Sequence, residues 1–302
     1  MEIGFSSYSF YQHLRTGRMT ILDVIDWVGE SEGTHLELAT GFLTLDASGA
    51  SAAGADRDLD QDPHLVSAIK QRAANRGVTL SNIACSANFL GDAVDVRRSV
   101  DSVKRHIDVA AELGITLFRH DVSEWAYSAK NVKEFDALLP GIVDNCKEIA
   151  QHAVQYGIIT SVENHGYLMN GSERIQRLLY LVDEPNFKTT LDIGNFLCVD
   201  EEPTVAVRNN LPYASIVHWK DFYIRNEHPG DLPGEGWLHT PGRAYLLGAI
   251  VGFGDLGMRS IVRSVKDSGF DGFISIEFEG IEECLLACET GIANVKRLFA
   301  EA

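Results

Sequence analysis

The stretch "IITSVENHG", Ile158–Gly166, decides how this chain is read. It opens as an apolar, β-branched run with the character of a buried strand and ends on a carboxylate, an amide, an imidazole and a glycine. Placing Glu163 and His165 at the mouth of a core strand carries a desolvation cost that needs a compensating partner. In a parallel α/β barrel such groups belong at the carboxyl ends of the strands, where the reactive groups gather.

Outward from that stretch the chain alternates strand and helix. "EIGFSSY" (2–8) reads as a strand and "TILDVIDWVGESE" (20–32) as an amphipathic helix with Thr20 as N-cap. "THLELA" (34–39) is the second strand. "PHLVSAIKQRAANRG" (63–77) is a helix with Pro at its start and Gly at its end. Strands at 78–85 and 115–120 follow, with helices over 92–113 and 131–156. The second half repeats the rhythm: strand 158–164 and helix 171–182, strand 187–193 and short helix 202–210. Strand 214–221 comes next, then a Gly- and Pro-rich loop over 222–256, a helix at 257–268, strand 272–279 and a helix over 282–300.

Eight strands, each followed by a helix, predict a single-domain (β/α)8 TIM barrel over 1–302; barrels of this kind typically take about 250 residues. A doubly wound sheet would want a glycine-rich phosphate turn, and neither GxGxxG nor GxxxxGK[ST] occurs. The low-complexity patch "DASGASAAGADRD" (46–58) reads as a flexible surface insertion.

Charge narrows the partners. Forty-three acidic residues against 26 Lys and Arg give a net charge of −17, which repels phosphate backbones and anionic membranes. No run of apolar residues is long enough to span a bilayer, and the N-terminus has no signal-peptide pattern. The five scattered cysteines lack a CxxC pair, as expected of reduced thiols in a cytoplasmic enzyme.

The strand ends of the second half carry the chemistry. Glu163 ends the fifth strand, Asp192 the sixth, the seventh carries His218 and the eighth Glu277. Each alone reads equally as a salt-bridged strand end, a turn cap or a core histidine. Together they place three carboxylates and an imidazole in one space. Carboxylates so close repel one another, and a divalent cation removes the conflict. An oxygen-rich set with one imidazole suits Mn²⁺, Co²⁺, Mg²⁺ or Zn²⁺, with positions left for substrate oxygens.

In order and spacing, "VENHG", "LDIGN", "VHWKD" and "SIEFEG" resemble the xylose-isomerase-like sugar phosphate isomerase/epimerase superfamily. It includes ketose 3-epimerases, hydroxypyruvate isomerases, inosose dehydratases and, more distantly, endonuclease IV. The resemblance implies one divalent metal held by Glu163, Asp192, His218 and Glu277, a small sugar substrate and a homo-oligomer, since dimers and tetramers are common there. It also implies substrate contact by Arg225, seven residues after His218. One departure stands out: many members carry His three residues after the strand-six Asp, and this chain has Asn195. Asn195 can contact substrate but is a poor metal ligand, which weakens a nuclease reading.

A cation chelated by a ketone and its neighbouring hydroxyl acidifies the adjacent C–H. Glu163 and Glu277 can then take and return the proton, giving 3-epimerisation, as in the family mechanism. Return to the neighbouring carbon gives aldose–ketose isomerisation. Loss of a β-hydroxyl or glycosidic oxygen gives a lyase of the inosose or 3-keto-sugar type. Lys220 shares strand parity with His218, His165 with Glu163 and Glu279 with Glu277, so each can face the site. A barrel salt bridge for Lys220, an ordered loop histidine for His165 and a surface cation for Arg225 are the plain alternatives. His120, ending "FRH", is a further substrate-binding candidate, and Tyr8, Phe10, Phe89 and Trp125 are candidates to pack on a sugar ring.

Overall fold

The computed structural model describes residues 1–43, 59–226, 234 and 236–302. In chain order the strands are β1 Glu2–Ser6, β2 His35–Ala39, β3 Thr79–Cys85, β4 Leu117–His120, β5 Ile159–Glu163, β6 Phe187–Asp192 and β7 Ala214–Trp219. Three further strands follow, β8 Asp221–Arg225, β9 Leu238–His239 and β10 Tyr245–Ala249, before β11 Phe273–Ile276. Strands β1 to β7 and β11 form a closed parallel barrel, shut where β1 pairs with β11. The helices are α1 Tyr11–Thr16, α2 Ile21–Glu30, α3 Pro63–Arg76, α4 Ala93–Leu113, α5 Val132–Val154, α6 Ser172–Val182, α7 Pro203–Asn210, α8 Met258–Ser268 and α9 Cys284–Glu301.

Helix ends follow local chemistry. Thr20 and Asp23 form a capping box at the start of α2. Asp62 caps α3 ahead of Pro63, and Gly77 closes it in the left-handed region at φ 68°. Gly114 does the same for α4 at φ 78°.

Strand parity divides the molecule into two layers. Leu36, Leu38, Phe118, Val162, Leu191 and Ile274 face outward and join Ile25, Ile69, Ile107, Ile149, Leu178 and Val295 from the helices in one apolar core. The alternate residues point into the barrel and are polar although buried, among them Ser6, Glu37, Ser161, Thr190, Asp192 and Ser275. A barrel this narrow fills its interior with side chains, and this one fills much of it with hydrogen-bonding groups. No helix among the described residues is long and apolar enough to cross a membrane. All five cysteines are buried and none is in a disulfide.

The segment expected as a loop over 222–256 is in part a sheet. β8 and β10 pair antiparallel from Asp221↔Ala249 to Arg225↔Tyr245, and β9 adds to β10, giving the order β8-β10-β9. The apolar run Tyr245–Ala249 supplies the missing strand, and its pairing partner lies some twenty residues earlier, beyond the reach of local pattern. Asp221 anchors this sheet to the barrel. Its carboxylate accepts from the backbone N–H of Gly252 and Gly254, each at 2.9 Å, and from Leu256 at 3.3 Å. Gly248 passes so close to the end of the last barrel strand that a Cβ there would lie 2.7 Å from the Glu279 backbone. The insertion expected at 46–58 lies outside the described residues.

Candidate metal centre

Glu163 and Asp192 are the last residues of β5 and β6, His218 is next to last in β7, and Glu277 follows β11. Register sets Asp192 beside His218 and Glu163 beside Thr190. One ligand atom from each of Glu163, Asp192, His218 and Glu277 lies within 4.8 Å of all the others. Asp192 spends its Oδ1 on the backbone N–H of Gly194 (2.8 Å) and Asn195 (2.7 Å), which leaves Oδ2 buried and without a hydrogen bond.

His218 shows the same pattern. Its Nε2–H donates to Glu37 Oε2 at 2.9 Å, an assignment that follows from the carboxylate being an acceptor. Nδ1, 3.5 Å from Glu163 Oε1 and 3.7 Å from Glu277 Oε1, makes no hydrogen bond, and with Nε2–H committed to Glu37 it is the nitrogen that carries the lone pair once the ring is neutral. A lone pair aimed among carboxylate oxygens is repulsive unless a proton or a cation lies between them. The donor set, three carboxylates and one imidazole nitrogen, fits a divalent cation of the Mn²⁺, Mg²⁺, Co²⁺ or Zn²⁺ kind.

The electrostatics describe a buried cluster rich in negative charge. Burial, the largest influence, and the neighbouring Glu163 and Glu277 push the Asp192 carboxyl up to about 7, with Lys220 opposing. Burial would raise Glu163 as well, but Arg119 and His218 outweigh it and hold that carboxyl well below the usual range. Burial works against the charged form of His218, yet Glu37, Glu277 and Glu163 hold its imidazole well above the ordinary value. Lys220 is likewise desolvated and then held charged by Asp192, Glu277 and Glu279.

Three of the five expected substrate residues reach this place. Asn195 donates from Nδ2 to Glu163 Oε1 (2.9 Å) and accepts from Lys220 Nζ at 3.2 Å. Lys220 Nζ is 2.9 Å from Glu277 Oε2 and 3.5 Å from both Asp192 and Glu279. His165 Nδ1 lies 3.1 Å from Asp121 Oδ1. Together with Glu163, His218 and Glu277 they line a cavity of about 430 Å³ at the carboxyl ends of the strands.

His120 and Arg225 are not brought there. His120 pairs with the outward-facing Val162 and packs outside the barrel against Phe89 and Phe187. Burial lowers its imidazole to about 4. The strand residue one earlier, Arg119, points inward instead, 2.7 Å from Glu163 Oε2 and 2.8 Å from Asp121 Oδ1. Arg225 ends β8, more than half exposed, within 3.5 Å of Asp255. The antiparallel ladder carries it away from the cavity. Of the aromatic candidates, Tyr8 and Trp125 line the cavity, whereas Phe10 packs between Phe5 and Trp27 and Phe89 against His120.

Sequence reasoning missed Arg119, Asp121, Glu37 and Asn82. A signal existed for two of them. Glu37 stands between Leu36 and Leu38, a lone carboxylate of opposite parity to an apolar pair, and the parity of "LFRH" turns on which of Arg119 and His120 aligns with Glu163.

A family model described as xylose isomerase-like TIM barrel matches residues 40–296. Similar solved structures include a probable 3-DHS dehydratase involved in petrobactin synthesis from Bacillus anthracis, at 16% identity and TM-score 0.72, covering 97% of this chain and 98% of that one. D-allulose 3-epimerase from Methylomonas sp. aligns at 14% identity and TM-score 0.70, over 99% and 98%. A xylose isomerase-like TIM barrel protein from Mycobacterium smegmatis in complex with magnesium aligns at 16% identity and TM-score 0.69, over 99% and 97%. At these identities the likeness is one of fold. Comparison with curated proteins finds no match.

Proposed function

The chain belongs to the xylose isomerase-like TIM barrel family, and from that premise we propose that it is a divalent-metal-dependent isomerase or epimerase. The substrate is a small keto sugar or polyol ketone, and the reaction is proton transfer through an enediolate. The observation that carries the reading is the meeting of Glu163, Asp192, His218 and Glu277 within 4.8 Å, with His218 Nδ1 and Asp192 Oδ2 buried and without a hydrogen bond. These four residues would hold the cation, and manganese is the metal to test first. Bound there, it supplies polarisation of the substrate carbonyl and stabilisation of the enediolate.

The remaining roles fall to the chain itself. Glu163 and Glu277 come from strands with β6 and β7 between them in the ring, so they flank the cavity from different sides. Glu163, held ionised beside Arg119, accepts the proton; Glu277, which can draw a second proton from the Lys220 ammonium 2.9 Å away, donates that one to the opposite face, and exchange with solvent resets both groups. Asn195 and His165 are positioned to hydrogen-bond sugar hydroxyls, and Tyr8 and Trp125 to cover an apolar ring face.

A second reading, a lyase of the inosose or 3-keto-sugar type, is favoured by one specific feature. Lys220 and His165 add two protonatable groups to the same cavity, and either can protonate a departing oxygen. Incubation of the Mn²⁺-loaded protein with ketoses, inososes and 3-keto-glycosides in D2O separates the readings. Deuterium incorporation with epimer or isomer formation supports the first; loss of water or aglycone supports the second. Stoichiometric metal with neither exchange nor turnover across the panel would sink both. Glu163→Gln should retain substrate binding and lose turnover.

A further inference from the structure

Glu37 is fully buried inside the barrel, although it comes from β2, far around the ring from β6 and β7. Its Oε2 receives two donors, His218 Nε2 at 2.9 Å and Asn82 Nδ2 at 2.7 Å, while Oε1 has no hydrogen bond. A carboxylate with so few partners is a costly way to fill a core, and apolar side chains of similar volume would serve stability at least as well. What the carboxylate does is accept the hydrogen bond of the His218 Nε2–H. A neutral imidazole has one N–H and one lone pair, so a donor bond from Nε2 puts the lone pair on Nδ1, the atom that faces Glu163 and Glu277.

A second, independent feature serves the same contact. The β2–β3 ladder runs His35↔Thr79 and Leu36↔Leu80, then shifts to Glu37↔Asn82, so β3 carries one extra residue at Ser81. Without that bulge Glu37 would stand beside Ser81, and Asn82 would take the outward parity. With it, Asn82 lies alongside Glu37 and locks the shared oxygen, while Ser81 Oγ bonds His35 Nδ1 at 2.9 Å. Bulges near sites of chemistry commonly re-aim one side chain in this way.

We propose that Glu37, clamped by Asn82, is the positioning residue of the metal centre: it fixes the tautomer and aim of His218 and thereby sets the affinity of the site for a divalent cation. This rests on the metal-centre reading above. Partners of this kind behind a histidine ligand typically govern metal affinity by about 10–100-fold.

The test is an EPR titration of Mn²⁺ into chelator-stripped full-length wild type, Glu37→Gln and Asn82→Ala, with thermal melts of the metal-free proteins. Glu37→Gln keeps the shape and removes the charge. It should bind Mn²⁺ about 10–100-fold more weakly than wild type. Asn82→Ala should weaken binding by a smaller factor, and because the metal-free melt of Glu37→Gln also registers the lost pair with His218, the affinity of the folded protein is the deciding readout. A merely structural role would lower the melts and leave the affinity of the folded protein unchanged, and that result overturns the inference. So does Glu37→Gln binding Mn²⁺ as tightly as wild type. If Glu37→Gln does not fold, Asn82→Ala decides, and an unaltered affinity again overturns it. Failure of wild type itself to bind Mn²⁺ removes the metal-centre reading and this inference with it.

Discussion

The Nη2 atom of Arg119 lies 2.7 Å from Oε2 of Glu163 and 2.8 Å from Oδ1 of Asp121, inside a barrel that gives the guanidinium almost no contact with solvent. The arginine is therefore part of the charge balance of the cluster. Arg119→Met leaves two buried carboxylates short of a cation. It is expected to destabilise the metal-free protein by about 3–5 kcal/mol in urea denaturation. Saturating Mn²⁺ should restore part of that loss, because the ion supplies positive charge next to Glu163. Equal metal-free stability of wild type and Arg119→Met would refute this account.

Lys220 would compete with a bound cation for the same oxygens, lying 2.9 Å from Glu277 and 3.5 Å from Asp192. Two unit charges at 4 Å interact by about 4 kcal/mol at an effective dielectric of 20, so removing the ammonium is a large change. Lys220→Met is expected to bind Mn²⁺ about tenfold more tightly, which is ~1.4 kcal/mol, while losing turnover. Calorimetric titration reads the first effect and the D2O exchange assay the second. Weaker metal binding in Lys220→Met would show that the lysine supports the ion instead of opposing it.

Burial and the like charges beside it raise the metal-free Asp192 carboxyl from 3.8 to about 7. Between those values the folded chain holds a proton that the unfolded chain has released. Metal-free stability should therefore be greatest at the low end of that window and fall as pH rises through it. Metal affinity runs the other way, because the ion must displace this proton. Apparent Mn²⁺ affinity should weaken below pH 7 by at least about tenfold per unit, and the proton held by His218 should extend a shallower dependence above it. A pH-independent affinity between 5 and 7 would contradict the placement of Asp192 among the ligands.

His120 supplies a second pH effect of opposite sign, from outside the barrel. Its Nδ1–H donates to the Asp121 carbonyl at 2.8 Å, its Nε2 is unpartnered, and burial lowers the imidazole from 6.5 to about 4. In that window the unfolded chain binds the proton and the folded chain does not. The contribution is present above 6.5 and is lost as pH falls toward 4. Between pH 7.5 and 5 it amounts to about 2 kcal/mol. Urea midpoints at those two pH values should show His120→Phe losing less stability than wild type by about that amount. Identical losses would mean that His120 titrates alike in the folded and unfolded chains and that its burial has no such effect.

The fold was readable because its signals are local. Thr20, Pro63, Gly77 and Gly114 mark helix ends by chemistry that acts within one turn, and all four sit at those ends. Glu163, Asp192, His218 and Glu277 were readable for a related reason: each is an ionisable group at the end of an apolar run. What could not be read depends on pairing between distant segments. Arg119 and His120 differ by one residue, and only the alignment of β4 with β5 says which faces inward. Glu37 meets Asn82 only because of a bulge one strand away. Arg225 was placed by counting from His218, but the β8–β10 ladder directs it toward Asp255.

The small sheet tied down by Asp221 also forms part of the cavity wall, through Phe222, Leu238 and Gly248. The charged groups all come from the barrel ring or the turns just beyond its strands, whereas this wall is an excursion between β7 and α8. One side of the cavity is thus built by a stretch of chain separate from the charge cluster. Substitution of Phe222 or Leu238 would alter that side without replacing any member of the ionic network. Fit on this side of the cavity can therefore be retuned without rebuilding the charge cluster.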